Sequence, residues 1–286
     1  MESHRVLNNA KILGLLSILT GLFIGAGYLI GGTGGMVIGL LFAGAMNFGS
    51  YWYSHKIVLK MYNAEKISRD DRPELYNAVE TLAENAGLPV PDLYISDMNV
   101  PNAFATGRNP EHGVVCITQG LMRDLEQDEI EGVIAHELAH IKNRDTLINA
   151  VVATFAGAIG IIAEMVFWGS LFSGRDEEGE MVSALAFMIL TPLIATLIKT
   201  MISRKMEFRA DSDAVKIHQK REGLSSALRK ISSANERKTS RHKSKVNEAG
   251  SNMFIYNPFS SEKITRFFST HPPLEDRLEN IEASNI

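Results

Sequence analysis

Four stretches of apolar residues interrupt an otherwise strongly charged chain. They cover residues 12–30, 35–52, 147–168 and 181–202, and each is close to the roughly 20 residues that a helix needs to cross the hydrocarbon core of a membrane. The pattern predicts four transmembrane helices in two hairpins. A cleaved signal peptide is the alternative for the first stretch, and buried helices of a soluble core are the alternative for the last two.

The first two stretches are separated only by the Gly-Gly-Thr-Gly sequence at residues 31–34, which predicts a tight helical hairpin. Gly21 with Gly25, and Gly35 with Gly39, have the GxxxG spacing that lets two helices approach closely. Glycines that simply face lipid are the alternative.

Lysine and arginine are distributed unevenly around these stretches. The loop at residues 169–180 contains one basic residue, Arg175, whereas residues 56–72 and 199–209 are rich in lysine and arginine. Because basic residues are retained on the cytoplasmic side, both termini and both long hydrophilic segments are expected in the cytoplasm. The chain is therefore predicted to be a multi-pass protein of the cell (inner) membrane.

The predicted domain organisation follows from the four spans. Residues 1–54 form a first membrane hairpin and residues 147–202 a second, while residues 55–146 and 203–286 fold together as one aqueous domain. The fold class is mainly α with a small β-sheet. The aqueous domain is predicted to begin with a helix at Pro73–Ala86, capped by Asp71 and stopped by Gly87, followed by strands at Asp92–Ser96, Ala103–Thr106 and Val114–Ile117. A helix from Asp128 through His140 comes next, and the sequence leaves open whether it continues towards the third span. Further helices are predicted at 204–218, 224–235 and after Pro273.

Composition removes several classes of function. The net charge of -4 and the lack of a basic domain give no reason to expect a nucleic-acid partner. The single cysteine, Cys116, excludes an internal disulfide framework and a CxxC site. A run of lysines and arginines between Arg229 and Lys245 is interpreted as a solvated linker, with contact to anionic lipid headgroups as the alternative.

The sequence His136-Glu137-Leu138-Ala139-His140 carries the candidate chemistry. Two histidines four residues apart project from the same face of a helix, where both rings can bind one metal ion. Glu137 lies about 100° around the helix from His136, so it can reach a water molecule at the metal without binding the ion. The pattern predicts a zinc site with Glu137 as general base, and a surface pair of histidines is the alternative.

A catalytic zinc site needs a third protein ligand. Thr146 stands where a third histidine would mark one known arrangement, and Glu164 lies within the third apolar stretch, about 35 Å along a continuous helix from His140. Glu207 is the better candidate because the second hairpin returns the chain to the same membrane face. Asp211 shares its helix face and is placed to accept a hydrogen bond from a zinc-bound histidine. A solvated helix with local ion pairs is the alternative.

The segment from Ser203 to Asp211, SRKMEFRAD, resembles the SRxxExxAD segment of the HtpX membrane metallopeptidases, relatives of the CAAX prenyl endopeptidase. The resemblance also covers the paired amino-terminal spans, residues 102–107 (NAFATG), the HExxH pentapeptide, and a closing stretch at residues 268–273 (FSTHPP) followed by Arg277. It therefore extends over nearly the whole chain.

This resemblance implies a gluzincin-like α+β peptidase domain with one Zn2+ per chain. It implies His136, His140 and Glu207 as zinc ligands and Glu137 as the catalytic residue, in agreement with the spacing argument. It further implies hydrolysis of polypeptides, among them misfolded or damaged membrane proteins, at a lipid bilayer and in response to stress.

Two further assignments follow from the resemblance. Asn102, Ala103 and Phe104 resemble the family's edge strand, to which an extended substrate could add through backbone hydrogen bonds; an ordinary sheet strand is the alternative. His271 is placed to donate a hydrogen bond to the oxyanion of the reaction, and a turn histidine before Pro272 is the alternative.

The sequence leaves one rival function of another class, a zinc-binding membrane scaffold or chaperone without hydrolytic activity. Glu137 argues against it, because a structural zinc site has no use for that carboxylate. A protease with its site inside the bilayer is disfavoured, because charged residues within 142–145 would be costly at the centre of the membrane.

Overall fold

The computed structural model describes residues 2–149, 151, 204–239 and 272–286. The chain forms two compact units. One contains Met1–Trp52 and Ile148–Met201, and the other contains Tyr53–Leu147 and Ile202–Ile286. The third and fourth predicted spans, at 147–168 and 181–202, lie almost entirely outside the described residues, as does His271.

The first unit begins with α1 (Glu2–Met61), a helix that breaks at Gly31 and Gly32. Gly32 has φ 57° and ψ −142°, a combination that only glycine adopts readily, so the chain can reverse there. The segments Asn9–Tyr28 and Gly31–Tyr53 are each long and apolar enough to cross a membrane. They match the first two predicted spans and the tight connection between them.

Glycines bring the two arms of this hairpin together. A Cβ atom on Gly35 would lie 2.0 Å from the carbonyl oxygen of Gly27, and one on Gly39 would also lie 2.2 Å from a backbone oxygen of the facing helix. The prediction of close approach is confirmed for Gly35 and Gly39. It is wrong for Gly21 and Gly25, where an added Cβ would meet nothing within 4 Å among the described residues.

The second unit contains a four-stranded mixed sheet. Its strands are β1 (Ala64–Lys66), β2 (Asp92–Ser96), β3 (Ala103–Thr106) and β4 (Val114–Thr118), in the order β1-β2-β4-β3. β2 and β4 are parallel, with Asp92 opposite Val114, and the two outer pairs are antiparallel. The three predicted strands are confirmed to within one residue, whereas the short edge strand β1 had no clear sequence pattern.

Six further helices surround the sheet in the described part of the second unit. They are α2 (Pro73–Ala86), α3 (Gln119–Asp124), α4 (Gln127–Asn143), α5 (204–218), α6 (Glu222–Thr239) and α7 (Leu274–Ala283). A single 3-10 turn, Pro110–His112, interrupts the predicted turn between β3 and β4.

The sequence predicted the carboxyl-terminal end of α2 correctly and its amino-terminal cap wrongly. Gly87 stops the helix with φ 66° and ψ 41°, and its N–H donates back to the last turn, as expected. The N-cap is Arg72, and Asp71 does not cap the helix. The Asp71 carboxylate instead accepts hydrogen bonds from the backbone N–H and the hydroxyl of Ser68, which draw it back towards the preceding loop.

α4 contains the predicted helix and ends at Asn143, so it does not continue unbroken into the third predicted span. Arg144 ends the helix with φ 60° and ψ 27°, and its N–H donates to the carbonyls of His140 and Ile141. A new helical segment begins at residue 145. At this left-handed break the Asp145 carboxylate lies 3.1 Å from Nδ1 of His140, in the last turn of α4.

α4 lies at the centre of the second unit. It packs against α2, α6 and the β3–β4 side of the sheet, and nearly all its residues from Ile130 to Ile141 are buried. The main hydrophobic core contains side chains from all of these elements and from α5, including Val79, Val115, Ile134, Leu138, Val215, Leu224, Ile231 and Ile281. The HExxH segment therefore lies within the main hydrophobic core of the second unit.

Candidate metal centre

The amino-terminal end of α4 is fixed by a capping box. The backbone N–H of Glu126 donates to the Glu129 carboxylate at 2.8 Å, and the Glu126 side chain accepts from the Glu129 backbone. Glu129 also accepts from Ser226 at 2.5 Å and Lys230 at 2.8 Å, which ties α6 to this end of α4. Two turns further on, His136 and His140 lie on one buried face of the helix.

His136, His140 and Glu207 meet in the second unit. The Nε2 atoms of the two histidines are 3.1 Å apart, and the Glu207 carboxylate oxygens lie 3.5 Å from His136 Nε2 and 3.4 Å from His140 Nε2. Donors placed at about 2.0–2.2 Å around a tetrahedral zinc ion are separated by about 3.4 Å. The three residues therefore fit one metal ion in the space between them.

His136 is oriented by a buried carboxylate and a buried guanidinium. Its Nδ1 lies 3.0 Å from an Asp211 oxygen. Arg277 donates two hydrogen bonds to Asp211, at 2.6 and 2.9 Å. Asp211 is fully buried, and Arg277 is 2% exposed. The contact directs Nε2 of His136 towards Glu207 and His140, which is the arrangement that supports a metal-bound histidine.

His140 has an equivalent support. Its Nδ1 lies 3.1 Å from an Asp145 oxygen, and the other Asp145 oxygen accepts from Arg209. Asp145 is fully buried because the break at Arg144 folds it against α4. Each histidine thus has an arginine–aspartate pair behind it, and the two pairs hold both rings with Nε2 directed inwards.

The electrostatics of the centre favour positive charge. Burial lowers the pKa of the His140 imidazole, but the contacts with Asp145 and Glu207 outweigh it and raise that pKa well above its ordinary value. The pKa of His136 is raised by Asp211 and Glu207 in the same way, against the effect of burial. Burial opposes ionisation of Asp211, yet Arg277 and His136 hold its pKa below the usual range. A site in which carboxylates surround two imidazoles is suited to binding a cation.

Glu137 is buried on α4 between the two histidines in sequence, with 4% of its surface exposed. Its charge is among those that raise the pKa of the Arg277 guanidinium, after the larger effects of Asp211 and Glu207 and against the effect of burial. The three short distances that define the candidate metal site join His136, His140 and Glu207. Glu137 takes part in none of them, so it is not among the candidate ligands.

The segment predicted to bind substrate begins beside β4. Asn102 is fully buried, its N–H donates to the Thr118 hydroxyl at 2.9 Å, and its carbonyl accepts from Thr118. Phe104 packs against Tyr62 with ring centroids 4.6 Å apart, and Ala103 is buried in the core. β3 is an edge strand of the described sheet, so its outer backbone, and not these side chains, is what it offers to a partner.

Sequence reasoning found His136, Glu137, His140, Glu207 and Asp211, which the structure brings together. It missed Asp145 and Arg209, because no periodicity marks a residue placed by a left-handed helix break. Arg277 was noted as part of the closing motif, but its two hydrogen bonds to Asp211 could only be seen in the folded chain.

The description "Peptidase family M48" belongs to the family model that matches residues 69–285. The chain is 48% identical to a Pyrococcus furiosus protein named "Protease HtpX homolog" over 270 residues, which are 93% of this chain and 92% of that one. It is 46% identical over 281 residues to "Protease HtpX" of Legionella pneumophila, covering 97% and 99% of the two chains.

A solved structure, titled "Crystal Structure of S. mikatae Ste24p", matches with a TM-score of 0.58 at 18% identity, over 99% of this chain and 67% of that one. At this identity the match shows the fold alone, a mainly helical fold with a small mixed sheet. The family model and the two relatives point to the same family of proteases. The meeting of the HExxH histidines with a glutamate of a later helix is consistent with that family. The chain belongs to peptidase family M48, where it stands among the HtpX proteases.

Proposed function

We propose that this protein is a membrane-anchored zinc-dependent endopeptidase. The observation that carries the proposal is the mutual spacing of 3.1, 3.4 and 3.5 Å among the inward-facing atoms of His136, His140 and Glu207. In this proposal the three residues hold one Zn2+ per chain. When bound, zinc supplies a Lewis acid that polarises the scissile carbonyl and makes a water molecule more acidic.

The proposed roles of the protein groups follow from their places around this triad. Glu137 takes the proton from the attacking water and later delivers it to the leaving amine, because it is a buried carboxylate outside the ligand set. Asp211 and Asp145 keep both imidazoles in the tautomer that presents Nε2. His271, predicted to donate to the oxyanion, belongs to residues 240–271, which lie outside the described part of the chain.

We further propose that a polypeptide substrate binds as an extended strand along β3, through the Asn102-Ala103-Phe104 segment. β3 is an edge strand in the described sheet and packs beside α4, the helix that carries HExxH. Backbone hydrogen bonding at a sheet edge recognises the peptide main chain without demanding particular side chains. This mode suits a protease that acts on misfolded or damaged membrane proteins, the quality-control and stress role we propose.

The apolar hairpin supports the proposed anchoring in a lipid bilayer. We propose four spans, with both termini and the peptidase domain in the cytoplasm. The orientation is testable with a Cys116→Ser, Glu84→Cys chain, because Glu84 is exposed on α2. A membrane-impermeant thiol reagent should label it in inverted inner-membrane vesicles and not in intact cells. Labelling in intact cells would place the domain on the opposite side.

The activity is tested by zinc content and casein cleavage of the detergent-purified chain. Glu137→Gln should retain zinc and lose cleavage, and Glu207→Ala should lose both. The exposed Glu84→Gln is the matched control and should lose neither. If Glu207→Ala keeps full zinc affinity, the ligand set is wrong. If the parent binds zinc but neither it nor Glu84→Gln cleaves any polypeptide, the zinc-binding scaffold without hydrolytic activity is the better description.

A further inference from the structure

A second cluster of metal-binding residue types lies at the far ends of the two helices that carry the first. Asp128 and Glu131 are one turn apart near the start of α4, and His218 is the last residue of α5. Each offers one donor atom, and the three atoms lie within 4.8 Å of one another. At helical rise, Asp128 and Glu131 lie about 12 Å and about 7.5 Å along α4 from His136, and His218 lies about 16 Å along α5 from Glu207, so the cluster is separate from the first centre.

The buried histidine is what distinguishes this cluster from ordinary surface acids. His218 is 7% exposed, and within the described part of the chain neither of its ring nitrogens has a hydrogen-bond partner. Its Nε2 faces both carboxylates, at 3.6 Å from Asp128 and 3.5 Å from Glu131. These separations are too long for hydrogen bonds but match the approximately 3.4 Å between two donors on one metal ion.

The surroundings hold these donors in place. The amide of Gln127 donates to one Glu131 oxygen at 3.0 Å, while the other oxygen faces His218. Gly223 covers the imidazole: a Cβ there would lie 2.8 Å from His218 Cε1 and 2.5 Å from the Asp128 carbonyl oxygen. The carboxylates are only partly buried, so water can complete a coordination shell.

We propose that Asp128, Glu131 and His218 form a second metal site, specific for a first-row divalent transition-metal ion such as Zn2+. One imidazole and two carboxylates suit zinc, whereas Mg2+ and Ca2+ take oxygen ligands. The ion links the start of α4 to the end of α5. It therefore stabilises the packing of the two helices that also carry His136, His140 and Glu207. The Lys220 ammonium forms an ion pair with Asp128 and therefore competes with the metal ion for the Asp128 carboxylate.

The test measures zinc stoichiometry by equilibrium dialysis and elemental analysis on the full chain in detergent, in a Glu137→Gln background that prevents self-cleavage. This background should bind two equivalents of Zn2+. Adding His218→Gln or Asp128→Asn should remove one and leave the other unchanged, and adding Glu207→Ala should remove the other. Loss of the direct ligand His218 should weaken the second equivalent by more than the roughly 10–100-fold typical of losing a supporting residue.

Two further variants make the result specific. His112→Gln removes an exposed histidine and should leave both equivalents in place. Lys220→Gln removes the competing ammonium and should raise the zinc affinity of the second site only. Addition of Mg2+ or Ca2+ should not displace zinc from that site. A single equivalent in the background chain that Glu207→Ala removes, a second equivalent that survives both His218→Gln and Asp128→Asn, or no tightening in Lys220→Gln would each overturn the second site. A single equivalent that His218→Gln removes and Glu207→Ala leaves in place would instead overturn the first site.

Discussion

Asp145 belongs to none of the sequence motifs, and only the folded chain places it beside His140. Replacing it therefore tests how much this tertiary contact contributes to zinc affinity. In Asp145→Asn the amide oxygen can still accept from His140 Nδ1, which lies 3.1 Å from the carboxylate. The negative charge that makes the imidazole a stronger ligand is lost. Changes of this kind beside a metal-bound histidine weaken metal binding by about 10–100-fold, which corresponds to about 1.4–2.7 kcal/mol.

The equivalent change at Asp211 should have a different profile, because the two supporting arginines differ in burial. The side chain of Arg209, behind Asp145, is 23% exposed, so water can solvate it after the change. The side chain of Arg277, behind Asp211, is 2% exposed, so water cannot solvate it, although a longer contact with the Glu207 carboxylate at 3.6 Å remains. Asp211→Asn should therefore cost more folding stability than Asp145→Asn, about 3 kcal/mol against about 1–2 kcal/mol, in addition to zinc affinity.

Both quantities are measured in the Glu137→Gln background. Zinc affinity comes from competition with a chromogenic chelator, and the stability of the metal-free chain comes from denaturant unfolding in detergent. Asp213→Asn is the control. The Asp213 carboxylate is partly buried and accepts a hydrogen bond from the Asn143 amide, not from either histidine. Unchanged zinc affinity in Asp145→Asn, or equal stability losses at Asp145 and Asp211, would refute this reasoning.

Three other predictions rest on separate parts of the structure. Burial raises the pKa of the fully buried Cys116 thiol to about 12, so a soluble thiol reagent at neutral pH should modify it only after unfolding; rapid modification of the folded chain would contradict the structure. Gly35→Ala should destabilise the hairpin by about 1–3 kcal/mol through overpacking, whereas Gly21→Ala should be tolerated, as thermal melting in detergent would show; equal melting temperatures would refute the close approach. Burial opposes ionisation of Glu129, but hydrogen bonds from Lys230 and two other donors lower its pKa below 4.5. Its contribution to stability is therefore present above the ordinary pKa of the carboxyl group and is lost as the pH falls through the lower folded-state pKa. Glu129→Gln should cost about 1–2 kcal/mol at pH 7, and the unfolding curves of the two chains should converge as the pH falls; a difference that does not shrink would contradict the assignment.

Local patterns accounted for much of the fold. Gly87 and Pro73 bounded α2, short runs rich in apolar residues located β2 and β4, and the glycines between the first two apolar stretches located the hairpin turn. These features depend on the conformations available to a few neighbouring residues, so a sequence is enough to predict them. β1 was missed because three residues with no apolar alternation become a strand only by pairing with β2.

By itself the sequence determined that two imidazoles share one helix face, because the four-residue spacing of His136 and His140 has that effect whatever surrounds the helix. It also favoured Glu207 as third ligand, through the predicted hairpin topology. Only the tertiary structure decided how the two rings are held. The left-handed break at Arg144 puts Asp145 behind His140, and α7 brings Arg277 to Asp211. Likewise, His218 meets Asp128 and Glu131 only because α4 and α5 pack side by side, and contacts between residues 87 and 90 positions apart in the chain leave no local trace in a sequence.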